Sequence, residues 1–313
     1  MQTTILATFF GISGTVVSMC AAGILLFLVA LWAAKTDVAR ARGLDKIVAL
    51  SNLCFAIPLA VFGALHLSGV GFVLPLVPSY MPWRLFWAYF VGCALLAASL
   101  SIATKIQVRW SGLLFGIMMF TFVTLLMVPG ALASPRDRFA WTFVIRESSF
   151  GGGGWILAGN AILAGSAWPE KSRGQSRWQV GSKLITVGRV LVGIAATFYG
   201  VEHFLHPANV PGVPLEKLMP AWIPGHRVIS YLTGAILLVA GACILLKKKT
   251  RMAATYLGTW ILLLVLFIYV PILIAQVSDP STAVQVEGIN YFADTLLFAG
   301  AILALAGATP RTD

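Results

Sequence analysis

Gly200-Val-Glu-His203-Phe-Leu-His206-Pro207 opens the stretch that decides the fold of this chain. Pro220-Ala-Trp222-Ile-Pro224-Gly-His226-Arg227 and Tyr231-Leu-Thr-Gly234 complete it. The stretch holds three of the four histidines of the chain and lies between two long apolar runs. It therefore reads as a turn between two membrane helices, with more polar and imidazole groups than such a turn needs.

A weaker copy of this stretch occurs earlier, as Gly63-Ala-Leu-His66, Pro78-Ser-Tyr-Met-Pro82-Trp-Arg84 and Tyr89-Phe-Val-Gly92. When His66 is aligned with His203, prolines, a tyrosine and a glycine follow in the same order in both copies. The alignment continues with Arg109 opposite Arg251 and Pro129 opposite Pro271. Such matches at uncommon residue types predict that one membrane unit occurs twice in the chain.

The composition indicates an integral membrane protein. Hydrophobic residues make up 59% of the 313 residues and charged residues only 11%, against about 25% charged residues in soluble domains. The apolar runs are long enough for helices, since a span needs about 20 apolar residues, and they lack the alternation typical of membrane strands. The lipid bilayer is therefore the first expected partner.

Nine apolar runs are expected to cross the membrane as helices. They cover residues 5–34, 47–68, 83–104, 110–133, 151–168, 184–205, 228–246, 252–274 and 286–308. The predicted fold class is all-α, a polytopic bundle with one leading helix and two parallel four-helix repeats. The expected units are a leading helix and basic loop at 1–46, a first repeat at 47–168, a cytoplasmic linker at 169–183 and a second repeat at 184–313.

The net charge of +11 predicts orientation rather than nucleic-acid binding. The basic residues cluster in short loops at 35–46, 105–109, 169–183 and 247–251, which nine spans would place on one side. Loops of this kind are cytoplasmic. We therefore expect a multi-pass protein of the cell inner membrane, with the N-terminus outside, the C-terminus cytoplasmic, all four histidines at the outer face and no nucleic-acid partner.

The repeated unit resembles the DoxX family of four-helix membrane proteins. The resemblance rests on Gly200-Val-Glu-His203-Phe, Pro220-Ala-Trp222-Ile-Pro224, Tyr231-Leu-Thr-Gly234 and the basic turn 247–251 followed by Met252-Ala-Ala. It covers the second half well and the first half as a diverged copy. It implies the four-helix fold more than a reaction. Some family members are linked to quinone-coupled sulfur oxidation and others to thiol or oxidant-defence complexes.

Three residues of the second half are the candidate catalytic groups. Glu202 replaces the Leu65 of the first copy, His203 follows it, and Asp294 lies well inside the last apolar run. An ionisable residue inside the membrane is expensive and indicates a functional site. The alternative for Glu202 is that its carboxylate simply reaches the outer water layer. The alternative for Asp294 is a structural polar contact between helices. We expect His203, His226 or Arg227 to be the partner of Asp294.

Four further residues are candidates for holding a cofactor or ligand: His66, Trp222, His226 and Asn290. Asn290 is four residues before Asp294 and so shares its helix face. The alternative for Trp222 is an aromatic side chain at the membrane interface. The alternative for each histidine is a hydrogen bond to a loop carbonyl. Cys20, Cys54, Cys93 and Cys243 stand singly without metal spacing, so we expect no metal, and haem is not expected either.

Three functions agree with these features. The first is a redox-linked membrane subunit that interacts with a quinone or a similar small apolar ligand at an outward-facing site of the second repeat. The second is a transporter or channel for a small solute, since parallel repeats and intramembrane acids occur there too. The third is a non-catalytic scaffold that binds other membrane subunits of a larger complex.

Overall fold

The computed structural model describes residues 12–165 and 171–311. Within these ranges the backbone is helical or irregular, and its β-type pairing is one isolated antiparallel bridge between Asn209 and Leu218. The predicted start of the first run at residue 5, and the boundary between the first repeat and the linker at 168–169, lie outside the described residues. The all-α class is confirmed for the described part of the chain.

The helices of the first half follow one another with short connections. They are α1 (Gly14–Arg40), α2 (Asp45–Val48), α3 (Ser51–Ser68), α4 (Val70–Val73), α5 (Arg84–Thr104), α6 (Val108–Phe122), α7 (Val128–Ala133) and α8 (Arg138–Ala164). A π-helical turn, Val123–Met127, joins α6 to α7 directly before Pro129. The proline lacks an N–H donor, so the wider turn at this point accommodates the interrupted hydrogen-bond ladder.

The second half begins with a longer helix. Its elements are α9 (Lys171–Leu205), α10 (His226–Leu245), α11 (Thr250–Leu264), α12 (Val270–Val277) and α13 (Thr282–Ala308). A second π-helical turn, Val265–Tyr269, joins α11 to α12 directly before Pro271. Left-handed residues also recur at aligned positions, with Lys105 and Gln107 before α6 and Lys247 and Lys249 before α11.

Within residues 12–165 and 171–311, eight helical stretches are long and apolar enough to cross a membrane. They are Gly14–Arg40, Asp45–Ser68, Arg84–Thr104, Val108–Ala133, Trp178–Leu205, His226–Leu245, Thr250–Val277 and Thr282–Ala308. α8 has 27 residues, but it is not among the eight. Its Arg138, Arg146 and Glu147, together with its glycines, lower its mean hydropathy. The described chain is therefore a multi-pass membrane protein with eight candidate spans, against the nine expected.

Two predicted boundaries differ from the structure. The fifth span was expected to begin at Gly151 after a polar loop, but α8 begins at Arg138, where the side chain of Asp137 accepts a hydrogen bond from Phe139 N. The polar residues of this segment occupy helix faces turned towards the bundle. The segment 169–183 was expected to be a linker, but from Lys171 onward it forms the first part of α9.

Contacts between distant loops define two faces of the bundle. Lys105 forms an ion pair with Asp37, and Arg251 Nη2 lies 2.6 Å from Asp45 Oδ1. The loops predicted at 35–46, 105–109 and 247–251 therefore lie on one side, called here the basic face. The opposite side carries the connection between α9 and α10, residues 206–225, and is called the loop face.

The centre of the bundle is closely packed. α8 packs against α6, α9 and α13, and α13 also packs against α3 and α11. Small residues allow the close approach, because a Cβ atom added to Gly188 would lie 2.3 Å from the carbonyl oxygen of Gly152. Small residues at interfaces are the usual means of bringing membrane helices together.

We expect Gly188→Ala to destabilise the bundle by about 1–3 kcal/mol, because the added methyl group forces α8 and α9 apart. The measurement is the free energy of unfolding in mild detergent with a denaturant titration. Gly130→Ala is the matched control, since Gly130 is also helical and a Cβ atom there meets nothing within 4 Å. Equal effects of the two substitutions would contradict the close approach of α8 and α9.

Candidate functional site

The connection between α9 and α10 folds back into the bundle. Residues 209–215 are buried, with Val213 and Leu215 at most 1% exposed. Asn209 Nδ2 donates to Leu215 O at 2.9 Å, and Val210 N donates to Lys217 O at 2.8 Å. Residues 209–216 thus form a compact element, called here the plug, that fills the loop face of the second half.

His203 connects α9 to the plug with both ring nitrogens. Nδ1 lies 2.6 Å from Tyr199 O, and Nε2 lies 3.0 Å from Gly212 N. A carbonyl oxygen can only accept and a peptide N–H can only donate. Nδ1 therefore carries the proton and Nε2 accepts, which makes the fully buried imidazole neutral in this arrangement.

The opposite side of the plug is held by the last helix. Thr295 Oγ1 donates to Val213 O at 2.7 Å. Gly212 has a φ of +132°, and a Cβ atom there would lie 2.7 Å from the hydroxyl oxygen of Tyr269. Both the backbone conformation and the space therefore require glycine at this position. His203 therefore binds the plug through Gly212, and Asp294 lies within electrostatic range of Glu216, the last residue of the plug.

Glu202 is part of an ion pair at the outer edge of the plug. Arg138 Nη1 lies 2.9 Å from Glu202 Oε2 and also donates to Leu215 O at 3.3 Å. The Nε2 atom of His206 lies 3.7 Å from the same carboxylate oxygen. Arg138 therefore ties the start of α8 to the end of α9 and to the plug. Glu202 is therefore held in an ion pair and does not extend freely to the outer water layer.

Asp294 is paired with Arg146, a residue outside the expected set of partners. Arg146 Nη1 lies 2.8 Å from Asp294 Oδ2, and Arg146 Nη2 lies 2.8 Å from Glu147 Oε1. All three side chains are at most 13% exposed. The expectation that His203, His226 or Arg227 would neutralise Asp294 was wrong, because it took Arg146 to be part of a solvated loop.

A third carboxylate reaches this group from the plug. Glu216 Oε2 accepts from the hydroxyl of Tyr291 at 2.7 Å, and its Oε1 is buried without a hydrogen-bond partner. Both Glu147 and Glu216 lie within electrostatic range of Asp294. The guanidinium of Arg146 is thus shared by Asp294 and Glu147, while Glu216 adds a further carboxylate near Asp294.

The other predicted site residues occupy different positions. His66 Nδ1 lies 2.8 Å from Phe62 O, which repeats in the first half the bond between His203 and Tyr199. Trp222 is 58% exposed, and His226 is half-buried at the start of α10. Asn290 lies one turn before Asp294, and its Oδ1 atom is buried without a hydrogen-bond partner. Glu202, His203 and Asp294 therefore surround the plug, whereas Trp222 is turned outward.

Sequence reasoning missed the residues of α8 that complete the site. Arg138, Thr142 and Arg146 are spaced by four, which places them along one helix face. Tyr199 reaches this face, since its hydroxyl donates to Thr142 O at 3.1 Å. The four-residue spacing in 138–146 was the signal that could have identified this helix face.

The described residues offer no evident metal centre. Across residues 12–165 and 171–311, no group of three or more His, Cys, Asp or Glu side chains is placed to hold a metal ion. The four cysteines are free thiols. The side chains that contact the plug supply imidazole, hydroxyl and guanidinium groups.

Comparison with family models, with curated proteins and with solved structures finds no match for this chain.

We expect Arg146→Met to cost about 3–5 kcal/mol of unfolding free energy, because it leaves Asp294 and Glu147 buried without their cation. Arg146→Met combined with Asp294→Asn should recover part of that loss, since one unpaired charge is removed. The measurement is denaturant unfolding in mild detergent for the two single variants and the double variant.

The control for this cycle is Lys105→Met at the basic face. Lys105 and Asp37 are 35% and 50% exposed, and exposed ion pairs contribute only about 0–1 kcal/mol. If Arg146→Met cost no more than Lys105→Met, or if Asp294→Asn made no difference in the Arg146→Met background, the buried pair would not stabilise the bundle.

Proposed function

We propose that the chain is a DoxX-like membrane protein built from one leading helix and two parallel four-helix units, with α8 as a ninth span. Several matched features support the repeat. Both halves have a π-helical turn before an aligned proline, left-handed residues before the helix that leads into this turn, and a histidine that binds the carbonyl four residues earlier. The length of α8 and its packing in the bundle centre support a ninth crossing.

The proposed location is the cell inner membrane with the basic face in the cytoplasm. Lys105, Lys247, Lys248, Lys249 and Arg251 all belong to turns on that face. The excess of basic residues in short cytoplasmic loops supports this orientation. The plug and the histidines would then face outward, with the N-terminus outside and the C-terminus inside.

The proposed activity is that of a redox-linked membrane subunit that binds a quinone or quinol in the place of the plug. The single observation that carries it is the pair of bonds from consecutive plug residues. Gly212 offers its N–H to His203, and Val213 offers its carbonyl to Thr295. A quinol offers the same pair of groups, because one of its hydroxyls can donate and the oxygen of the other can accept.

The geometry of His203 favours the reduced form of such a ligand. Its Nδ1 proton is engaged by Tyr199 O, so Nε2 is an acceptor. An acceptor binds a quinol hydroxyl and not a quinone carbonyl. His203 would thus accept from one hydroxyl of the quinol and take its proton. Thr295 would donate to the oxygen of the other hydroxyl, and Glu202 with Arg138 would control whether the plug leaves.

The scaffold alternative is favoured by a different observation. The plug already satisfies His203 and Thr295 and leaves the centre closed. A protein with no ligand of its own would keep the plug in place permanently and contribute its outer helix faces to partner subunits. The transporter alternative gains less support, since the backbones of α8 and α9 are in contact at Gly152 and Gly188.

The test uses a short-chain ubiquinol and the corresponding ubiquinone with the full chain in nanodiscs. We expect the quinol to bind more tightly than the quinone and to increase amide hydrogen exchange in residues 209–216, because the ligand displaces the plug. His203→Gln should weaken quinol binding about tenfold, which corresponds to the loss of one hydrogen bond.

His66→Gln is the matched control, because His66 binds a carbonyl four residues earlier in the same way but has no plug beside it. It should leave quinol binding unchanged. Failure of both redox forms to bind, or equal effects of the two histidine substitutions, would overturn the proposed function. A constant protein partner at native abundance together with a plug that never opens would then establish the scaffold.

A further inference from the structure

A separate cavity lies at the basic face, away from the plug. It has a volume of about 220 Å³. Its lining combines cationic and apolar side chains: Leu44, Arg251, Met252, Thr255, Tyr256 and Arg311. Neither the sequence motifs nor the proposed function uses any of these side chains for binding.

The two arginines of this cavity are held side by side by one carboxylate. Arg251 Nη2 lies 2.6 Å from Asp45 Oδ1, and Arg311 Nη2 lies 3.0 Å from Asp45 Oδ2. Arg251 Nη1 also donates to Ala306 O and Thr309 O at 2.9 Å each. Arg251 is therefore fixed before any ligand arrives, and a rigid guanidinium binds a phosphate with little loss of side-chain freedom.

The charge of the cavity stays positive after this pairing. Two guanidinium groups face one carboxylate, which leaves one positive charge, and Arg311 is 75% exposed and keeps free N–H donors. The turn before α11 adds the exposed Lys247, Lys248 and Lys249. An anion at the mouth of the cavity would therefore meet an excess of positive charge.

The other wall of the cavity is apolar and belongs to a candidate span. Met252 and Tyr256 are four residues apart on α11, so they share one helix face. They are 45% and 57% exposed, and α11 begins the membrane stretch Thr250–Val277. The cavity is thus continuous with the apolar surface of a candidate span, at the end of that span that lies on the basic face.

We propose that this cavity is a binding site for one anionic phospholipid, with the phosphate on Arg251 and Arg311 and an acyl chain along Met252 and Tyr256. A free phosphate would use only the first half of this arrangement. A zwitterionic lipid would bring its own positive group to a site that is already cationic. Basic pockets between membrane helices are known to select acidic headgroups in this manner.

The experiment measures lipid retained by the full chain. The protein is purified in mild detergent, exchanged into nanodiscs of phosphatidylglycerol mixed with phosphatidylcholine, and its bound lipid is counted by native mass spectrometry after release. We expect one retained phosphatidylglycerol per chain. Arg311→Gln should weaken its retention about fivefold, the loss expected for one basic group at a membrane surface.

Arg109→Gln is the matched control, because Arg109 aligns with Arg251 in the first half but lies exposed against Trp110. It should leave retention unchanged. Arg251→Gln is a weaker test, because it also removes the hydrogen bonds that hold the end of α13. Tyr256→Ala therefore serves as the second variant, and it should reduce the retention of phosphatidylglycerol without removing a charge.

Two outcomes would overturn the proposal. Equal retention of phosphatidylcholine would show that the negative headgroup is not recognised. Displacement of phosphatidylglycerol by millimolar inorganic phosphate, with no effect of Tyr256→Ala, would show that the cavity takes a free anion and not a lipid. Neither result depends on quinol binding at the plug, which lies at the opposite face.

Discussion

A guanidinium group buried in a helix bundle must be neutralised where it lies, and the arrangement of this protein depends on that requirement. Arg146 lies between Asp294 on α13 and Glu147 on its own helix, and water reaches little of the cluster. Removing one partner would leave a bare charge in a low-dielectric interior, which costs several kcal/mol. The pair therefore fixes the depth of α8 relative to α13.

The plug follows from a second requirement, the satisfaction of backbone polar groups away from water. Irregular backbone at membrane depth is tolerated only where it is buried in protein. The N–H of Gly212 and the carbonyls of Val213 and Leu215 have no helical partners, so side chains of α8, α9 and α13 supply them. His203 is thus needed for the fold of the loop. Any ligand that displaces the plug has to replace the hydrogen bonds that the plug makes.

The sequence was informative where one residue type has one physical explanation. Long apolar runs predicted the helices. The acids inside such runs, Glu202 and Asp294, each have an arginine partner in the structure, as a buried carboxylate requires. The partners were missed for the opposite reason. Residues 134–150 contain enough charge to read as a loop, and only the packing against α9 and α13 shows that Arg138 and Arg146 face inward.

The two halves differ most where their loops leave the histidine. After His66 the chain forms the short α4, and Arg84 donates to Val77 O and Leu74 O at 2.9 and 2.7 Å, so this loop satisfies its backbone locally. After His203 the loop turns inward instead. The reason lies in Glu202, which replaces Leu65: a carboxylate at the helix end recruits Arg138, and Arg138 in turn binds the Leu215 carbonyl.

An inward loop therefore requires the acid, the arginine on α8 and the glycine at position 212 together. An arginine without Glu202 would be an unpaired charge beside the plug, and a side chain at position 212 would collide with Tyr269. These coupled residues hold a loop whose counterpart in the first half is bound locally by Arg84. The inward loop therefore occupies the space between His203 and Thr295 and supplies both side chains with hydrogen-bond partners.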